Sequence, residues 1–136
     1  MLGENKEGCV IAGKTLEEWE RDLDEIGILK KISLGKYNKD IGVYYFYLED
    51  ELVYIGRAIE YKNGGFRKRL SDYTRKSNSG RKNKTGQKIH DYSHLLVTKI
   101  LCVGRTKEDV DTVKKLEREL IKLHTPSWNK RIPRKI

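Results

Sequence analysis

The chain has 136 residues, 37% of them hydrophobic and 36% charged, with a formal net charge of +9. That length suits one domain with a real core and is short for two. Two widely separated cysteines, Cys9 and Cys102, exclude a disulfide framework and a thiolate metal site, and no stretch approaches the roughly twenty consecutive apolar residues of a membrane span.

The positive charge is concentrated. Residues 57–88 hold eleven Lys and Arg against two acids, Glu60 and Asp72, while residues 1–56 carry seven bases and twelve acids. Such asymmetry favours a surface that docks a polyanion over charge spread for solubility. The acidic N-terminus lacks the pattern of a secretion signal, so a soluble, cytoplasmic or otherwise intracellular protein is expected.

In chain order, residues 1–14 show no periodicity and read as a tail. Thr15-Leu16-Glu17-Glu18 fits a capping box, and Leu16, Trp19, Leu23 and Ile26 continue it as an amphipathic helix that Gly27 would stop. Residues 28–41 read as a connection with a short extended piece. Ile41 to Leu48 is β-branched and aromatic, Glu49-Asp50-Glu51 interrupts it, and Leu52 to Gly56 resumes it: two antiparallel strands with a tight acidic turn. The turn length sets which tyrosines share a face. A three-residue turn places Leu48 opposite Leu52 and Tyr44 opposite Gly56, so that Tyr44, Phe46 and Tyr54 project together; a two-residue turn separates Tyr44 from Tyr54.

Asn63-Gly64-Gly65 predicts a turn, and Phe66 to about Arg75 a helix with Phe66, Leu70 and Tyr73 on one side. Residues 76–86 are polar, cationic and glycine-containing, a loop that orders on phosphate contact. Leu95–Val103 suits a buried third strand, and Lys107 to about His124 a long helix capped by Thr106 and ended by Pro126. The expected fold class is α+β: a small three-stranded, mostly antiparallel sheet flanked by helices. The chain divides into an N-terminal tail, helix and connection over 1–40, a domain over 41–131 and a basic tail over 132–136.

On the last helix Val110, Val113, Leu116, Leu120, Ile121 and Leu123 form an apolar stripe, and Glu117 falls inside it while Glu119 lies nearly opposite. An unpaired buried carboxylate costs several kcal/mol, so Glu117 should be protonated, bound to a cation, or paired with Arg69 or Arg57. His90 and His94 have helical spacing but no companion ligands, and read as surface or packing residues.

Gly42-Val43-Tyr44, Tyr54-Ile55-Gly56, the helix arginine Arg69, the helix carboxylate Glu117 and the trailing Asn129 occur in the order of the GIY-YIG nuclease family, which the chain resembles over about residues 41–131. The run Leu116 to Asn129 is similar to the version in the excision-repair nuclease subunit. Homing members of the family usually append a DNA-reading domain, for which little chain follows Asn129.

The resemblance implies a metal-dependent endonuclease that hydrolyses phosphodiester bonds, one strand per active site. Tyr44 would be the general base, Tyr54 would hydrogen-bond the scissile group or the water, and Arg57 and Arg69 would serve catalysis. Glu117 would bind Mg2+ or Mn2+, with Tyr73 and Asn129 as further site residues and Asn129 an organiser; His124, by its place near the proposed site, is a further candidate. A free phenol has a pKa near 10, so neighbouring cations, Arg57 and the metal, must lower that of Tyr44. Lys68, Arg75, Lys76, Arg81, Lys82, Lys84 and Lys88 would bind the nucleic acid. Its expected form is double-stranded DNA, although these residues suit RNA as well, and a catalytically silent binding module is the rival class. In a bacterium the protein would be nucleoid-associated.

Overall fold

The computed structural model describes residues 9–75 and 84–129. In chain order, the elements are a small hairpin, β1 (Val10–Ile11) and β2 (Lys14–Thr15), then α1 (Leu16–Glu20), β3 (Asp24–Ile28), β4 (Ile41–Leu48), β5 (Glu51–Ala58), α2 (Gly65–Asp72), α3 (Lys84–Asp91), β6 (Val97–Gly104) and α4 (Lys107–His124). The fold is α+β, with β3, β6, β4 and β5 side by side in one antiparallel sheet. No helix among the described residues is long and apolar enough to cross a membrane.

The sheet therefore has four strands rather than three, and the added one comes from the expected helix. The capping box forms, with the Thr15 and Glu18 side chains and backbones bonding reciprocally, but α1 stops after five residues. Trp19 buries its ring and donates its indole N–H to the Ile11 carbonyl, which pins the helix to the β1–β2 hairpin. Beyond it the chain turns, and Asp24–Ile28 fills the open edge of β6. Leu23 and Ile26 then pack on opposite faces of the sheet, which one helical face could not achieve. A ladder of backbone hydrogen bonds along a waiting edge outweighs a weak local helical preference. Gly27, at φ 122°, makes the bulge in β3 that only glycine adopts without strain.

The hairpin reaches the expected pairing by a different route. The turn has two residues, Glu49 and Asp50, with φ values of 51° and 69°, the twist-matching arrangement of tight hairpins. On its own it would shift the register. Phe46 pairs with Tyr54 and Tyr47 with Leu52, so Val53 is an extra residue, and that bulge restores Tyr44 opposite Gly56.

Alternation along β4 sorts the core into two layers. Ile41, Val43 and Tyr45 pack with Ile55, Leu101 and the α4 residues Val113, Leu116, Leu120 and Ile121. Tyr44 and Phe46 pack on the other face with Phe66, Leu70 and Tyr73 from the α2 segment, Ile89 of α3, and Leu96. α3 begins at Lys84 inside what reads from sequence as a loop; the rest of that loop, 76–83, lies outside the described residues, as do the tail residues 1–8 and the basic tail 132–136. Residues 9–14, read as tail, instead form most of the small hairpin.

Candidate active site

Two glycines of the tyrosine strands are dictated by close approach. A Cβ on Gly42 would lie 2.0 Å from the Leu101 carbonyl oxygen, and one on Gly56 would lie 2.5 Å from the ring and hydroxyl of Tyr44. Gly56 is thus the floor on which the Tyr44 ring rests. Tyr44 is 2% exposed, its ring centroid is 6.4 Å from that of Tyr54, and its hydroxyl is 2.7 Å from that of Tyr73. Tyr73 caps the C-terminal end of α2, one turn after Arg69, so that one short helix delivers a phenol and a guanidinium to the same place.

The electrostatics of this cluster correct one expectation. Burial drives the Tyr44 phenol well above its ordinary 10; Tyr73 and Tyr54 add to the rise, and Arg69 opposes it without prevailing. Tyr54 also rises, through burial first, then Tyr73 and the Glu117 carboxylate, against the pull of Arg69. The protein's own groups hold Tyr44 protonated. The cation that acts on it is Arg69, whereas Arg57, expected in that role, is engaged elsewhere.

Arg57 pairs with Glu117: Nη1 is 3.2 Å from Oε1, with the arginine side chain 43% exposed and the carboxylate 18% exposed. Of the partners that sequence left open for Glu117, Arg57 is the one chosen. Burial pushes the Glu117 carboxyl up, and Arg57 pulls it down by less. Arg57 and Glu117 stand on the α4 side of the sheet, beside the edge strand β5, and the Glu117 charge adds to the rise of Tyr54. An ion pair with one exposed partner contributes at most about 1 kcal/mol, and a competing ligand can open it.

Among the described residues no group of three or more His, Cys, Asp or Glu gathers to hold a metal ion. Glu117 by itself fits a hard divalent cation that takes one carboxylate and completes its shell with water, being a half-buried oxygen donor with one exposed charged partner.

Asn129 takes an organising position. Its Oδ1 accepts the Ile55 N–H at 3.0 Å and its Nδ2 donates to the Ile55 carbonyl at 2.9 Å, while the Trp128 N–H donates to the Val53 carbonyl. The segment after α4 thereby covers the free edge of β5 and holds the strand of Tyr54 in place.

His124 is not brought to the tyrosines. It pairs with Glu20 at 2.6 Å, the Tyr45 hydroxyl donates to the same carboxylate, and this group lies on the opposite face of the sheet, tying α1 to the end of α4. His90 bonds the Tyr73 carbonyl through Nδ1 at 2.7 Å, a packing role beside the site.

The cationic set is partly neutralised by the two acids in its own segment. Glu60 pairs with Lys68 at 3.0 Å and sits 3.8 Å from Arg69, and Asp72 pairs with Arg75. Glu60 is thus a neighbour of the site, and its signal in the sequence is its place as a rare acid among cations, just before the helix that carries Arg69. Lys84 and Lys88 are exposed on α3, and Lys76, Arg81 and Lys82 lie outside the described residues.

No family model matches this chain. No curated protein matches it either. Among solved structures it is similar to the N-terminal GIY-YIG endonuclease domain of UvrC from Thermotoga maritima, solved as a point mutant bound to its catalytic divalent cation. Identity is 24%, the TM-score is 0.48, and the match covers 70% of this chain and 88% of that one.

Proposed function

We propose that the chain is an endonuclease of the GIY-YIG kind that hydrolyses phosphodiester bonds of double-stranded DNA, one strand per active site. The observation that carries this reading is the tyrosine cluster: the Tyr44 and Tyr73 hydroxyls meet at 2.7 Å with the Tyr54 ring alongside, Arg69 lies one helical turn from Tyr73, and the half-buried Glu117 pairs with Arg57 of the Tyr54 strand.

Hydrolysis needs a water deprotonated for attack on phosphorus, stabilisation of the charge gathered on the phosphoryl oxygens, and release of the sugar oxygen. Arg69 can donate to two phosphoryl oxygens at once, which its planar fork favours. Tyr54 and Tyr73 offer hydroxyl donors to the scissile group. Tyr44 can take the proton of water only as a phenolate, which burial opposes and Arg69 favours. Mg2+ or Mn2+ held by Glu117 would supply further positive field and stabilise the leaving oxygen. Arg57, released from Glu117, becomes available for a phosphate.

Supercoiled plasmid incubated with and without Mg2+ or Mn2+ tests the reading. Wild type should produce relaxed circles in a metal-dependent manner. Glu117→Gln should lose cleavage while retaining DNA affinity, and Tyr44→Phe should lower cleavage by about 100-fold, the usual contribution of a general base. Full activity in Glu117→Gln would overturn the metal assignment.

A second reading, a silent nucleic-acid-binding module, is favoured by the burial that opposes a Tyr44 phenolate. Binding with no cleavage under any divalent cation would select it.

A further inference from the structure

Two of the large apolar side chains that stay exposed, Tyr92 at 39% and Leu95 at 49%, lie in the short link between α3 and β6. Nothing in the proposed chemistry uses them. Tyr92 meets Trp128 edge to face, with centroids 5.4 Å apart and planes at 76°, and the Lys88 ammonium sits 4.9 Å from the centre of the Trp128 ring. Trp128 in turn packs against the same core layer as Tyr44, Tyr54 and Tyr73. Through Trp128 the aromatic pair borders the core layer that holds the tyrosines.

The link is firmly held. The Leu95 N–H bonds the Tyr92 carbonyl at 2.8 Å, the Lys30 N–H bonds Ser93 at 3.1 Å, and the Leu29 N–H bonds Leu96 at 2.9 Å. The Trp128 backbone is latched to Val53 at 2.8 Å. A rigid ring loses little entropy on meeting a ligand. The cations Lys84, Lys88, Lys30 and Lys31 are all exposed on these same segments, and the acid among them, Asp91, is turned to Gln87 at 2.8 Å.

An exposed ring, Tyr92, backed by a partly buried one and beside ammonium groups, is complementary to a base with its phosphate. A fully stacked duplex offers no base face, whereas an unpaired nucleotide does. We propose that Tyr92, with Trp128 and Lys88 behind it, forms a stacking platform for an unpaired base next to the cleavage site, which would direct the enzyme to gapped, flapped or otherwise distorted DNA. The proposal rests on the nucleic-acid reading of the tyrosine site and specifies the kind of substrate.

The test compares a fully paired duplex with one of the same length carrying a short central gap, both fluorescently labelled, bound by the full chain in chelator by anisotropy. Wild type should bind the gapped DNA roughly tenfold more tightly, the gain expected from one stacked base. Tyr92→Ala should abolish that preference and leave the affinity for paired duplex as it is; Tyr92→Phe should keep the preference. Independently, the gapped DNA should quench tryptophan emission, because Trp19 is buried against Ile11 and leaves Trp128 to report.

Equal wild-type affinity for the two DNAs, absence of binding to both, or a preference retained in Tyr92→Ala would overturn the platform. Plasmid cleavage judges the nuclease reading separately. A protein that cuts but shows no preference for gaps loses the platform alone, and one that never cuts yet shows a Tyr92-dependent preference loses the nuclease reading and keeps the platform.

Discussion

Tyr44 shows how a single position acquires a chemical character that its residue type does not specify. Its ring rests on a glycine, its hydroxyl meets another phenol, and burial keeps it protonated although Arg69 stands close. The floor is the sensitive part. Gly56→Ala would put a methyl group 2.5 Å from the ring, and the phenol, being fixed at its far end by Tyr73, has nowhere to move cheaply. The variant should lose about 1–3 kcal/mol of stability, as for other overpacked cores, and its cleavage should fall further than its stability. Urea unfolding together with plasmid cleavage checks both. Of this residue-level picture the sequence shows the identities, Gly56, Tyr44 and Tyr73, but not the protonation, which depends on how completely other segments exclude water from the ring.

At the scale of elements, α4 and its tail fasten the sheet at two places. Asn129 satisfies both the N–H and the carbonyl of Ile55 on the open side of β5. Asn129→Ala should cost about 1–3 kcal/mol, the penalty for leaving partly buried backbone groups unpaired, and should speed hydrogen exchange at the Ile55 amide far more than at Leu101. At the other fastening, burial pushes the Glu20 carboxyl up, but hydrogen bonds from His124 and Tyr45 hold it below its ordinary 4.5. A carboxyl lowered by folding adds stability above its unfolded pKa and loses it as the pH falls through its folded pKa. Glu20→Gln should therefore be less stable than wild type at neutral pH, by about 1–3 kcal/mol for hydrogen bonds to a charged group, and the gap should close as the pH drops below 4.5 in denaturant titrations.

The molecule as a whole covers its two sheet faces differently. One is covered by α1 and α4 and closed by the Glu20, His124 and Tyr45 group; the other carries the tyrosines, Arg69 and the cationic helices. If that second face docks DNA, each phosphate it neutralises releases counterions, and log affinity should fall linearly with log salt at a slope of about −0.9 per phosphate. Glu60 and Asp72 already engage Lys68, Arg69 and Arg75, so the slope should be well below the eleven cations of residues 57–88. A flat salt dependence would remove this segment as the footprint.

By itself the sequence determined what depends on neighbours along the chain: the alternation of β4 and β5, the Thr106-capped helix from Lys107 to His124, the turn at Gly64, and the order of Tyr44, Tyr54, Arg69, Glu117 and Asn129. Capping, twofold alternation and helical spacing are short-range properties, legible without a partner. Tertiary structure decided the rest. Residues 24–28 became a strand because β6 had an open edge, Val53 bulged to bring Tyr44 over Gly56, and Glu117 took Arg57 rather than Arg69. These outcomes turn on which distant groups compete for the same hydrogen bonds and the same buried volume, and that competition exists only once the chain has closed on itself.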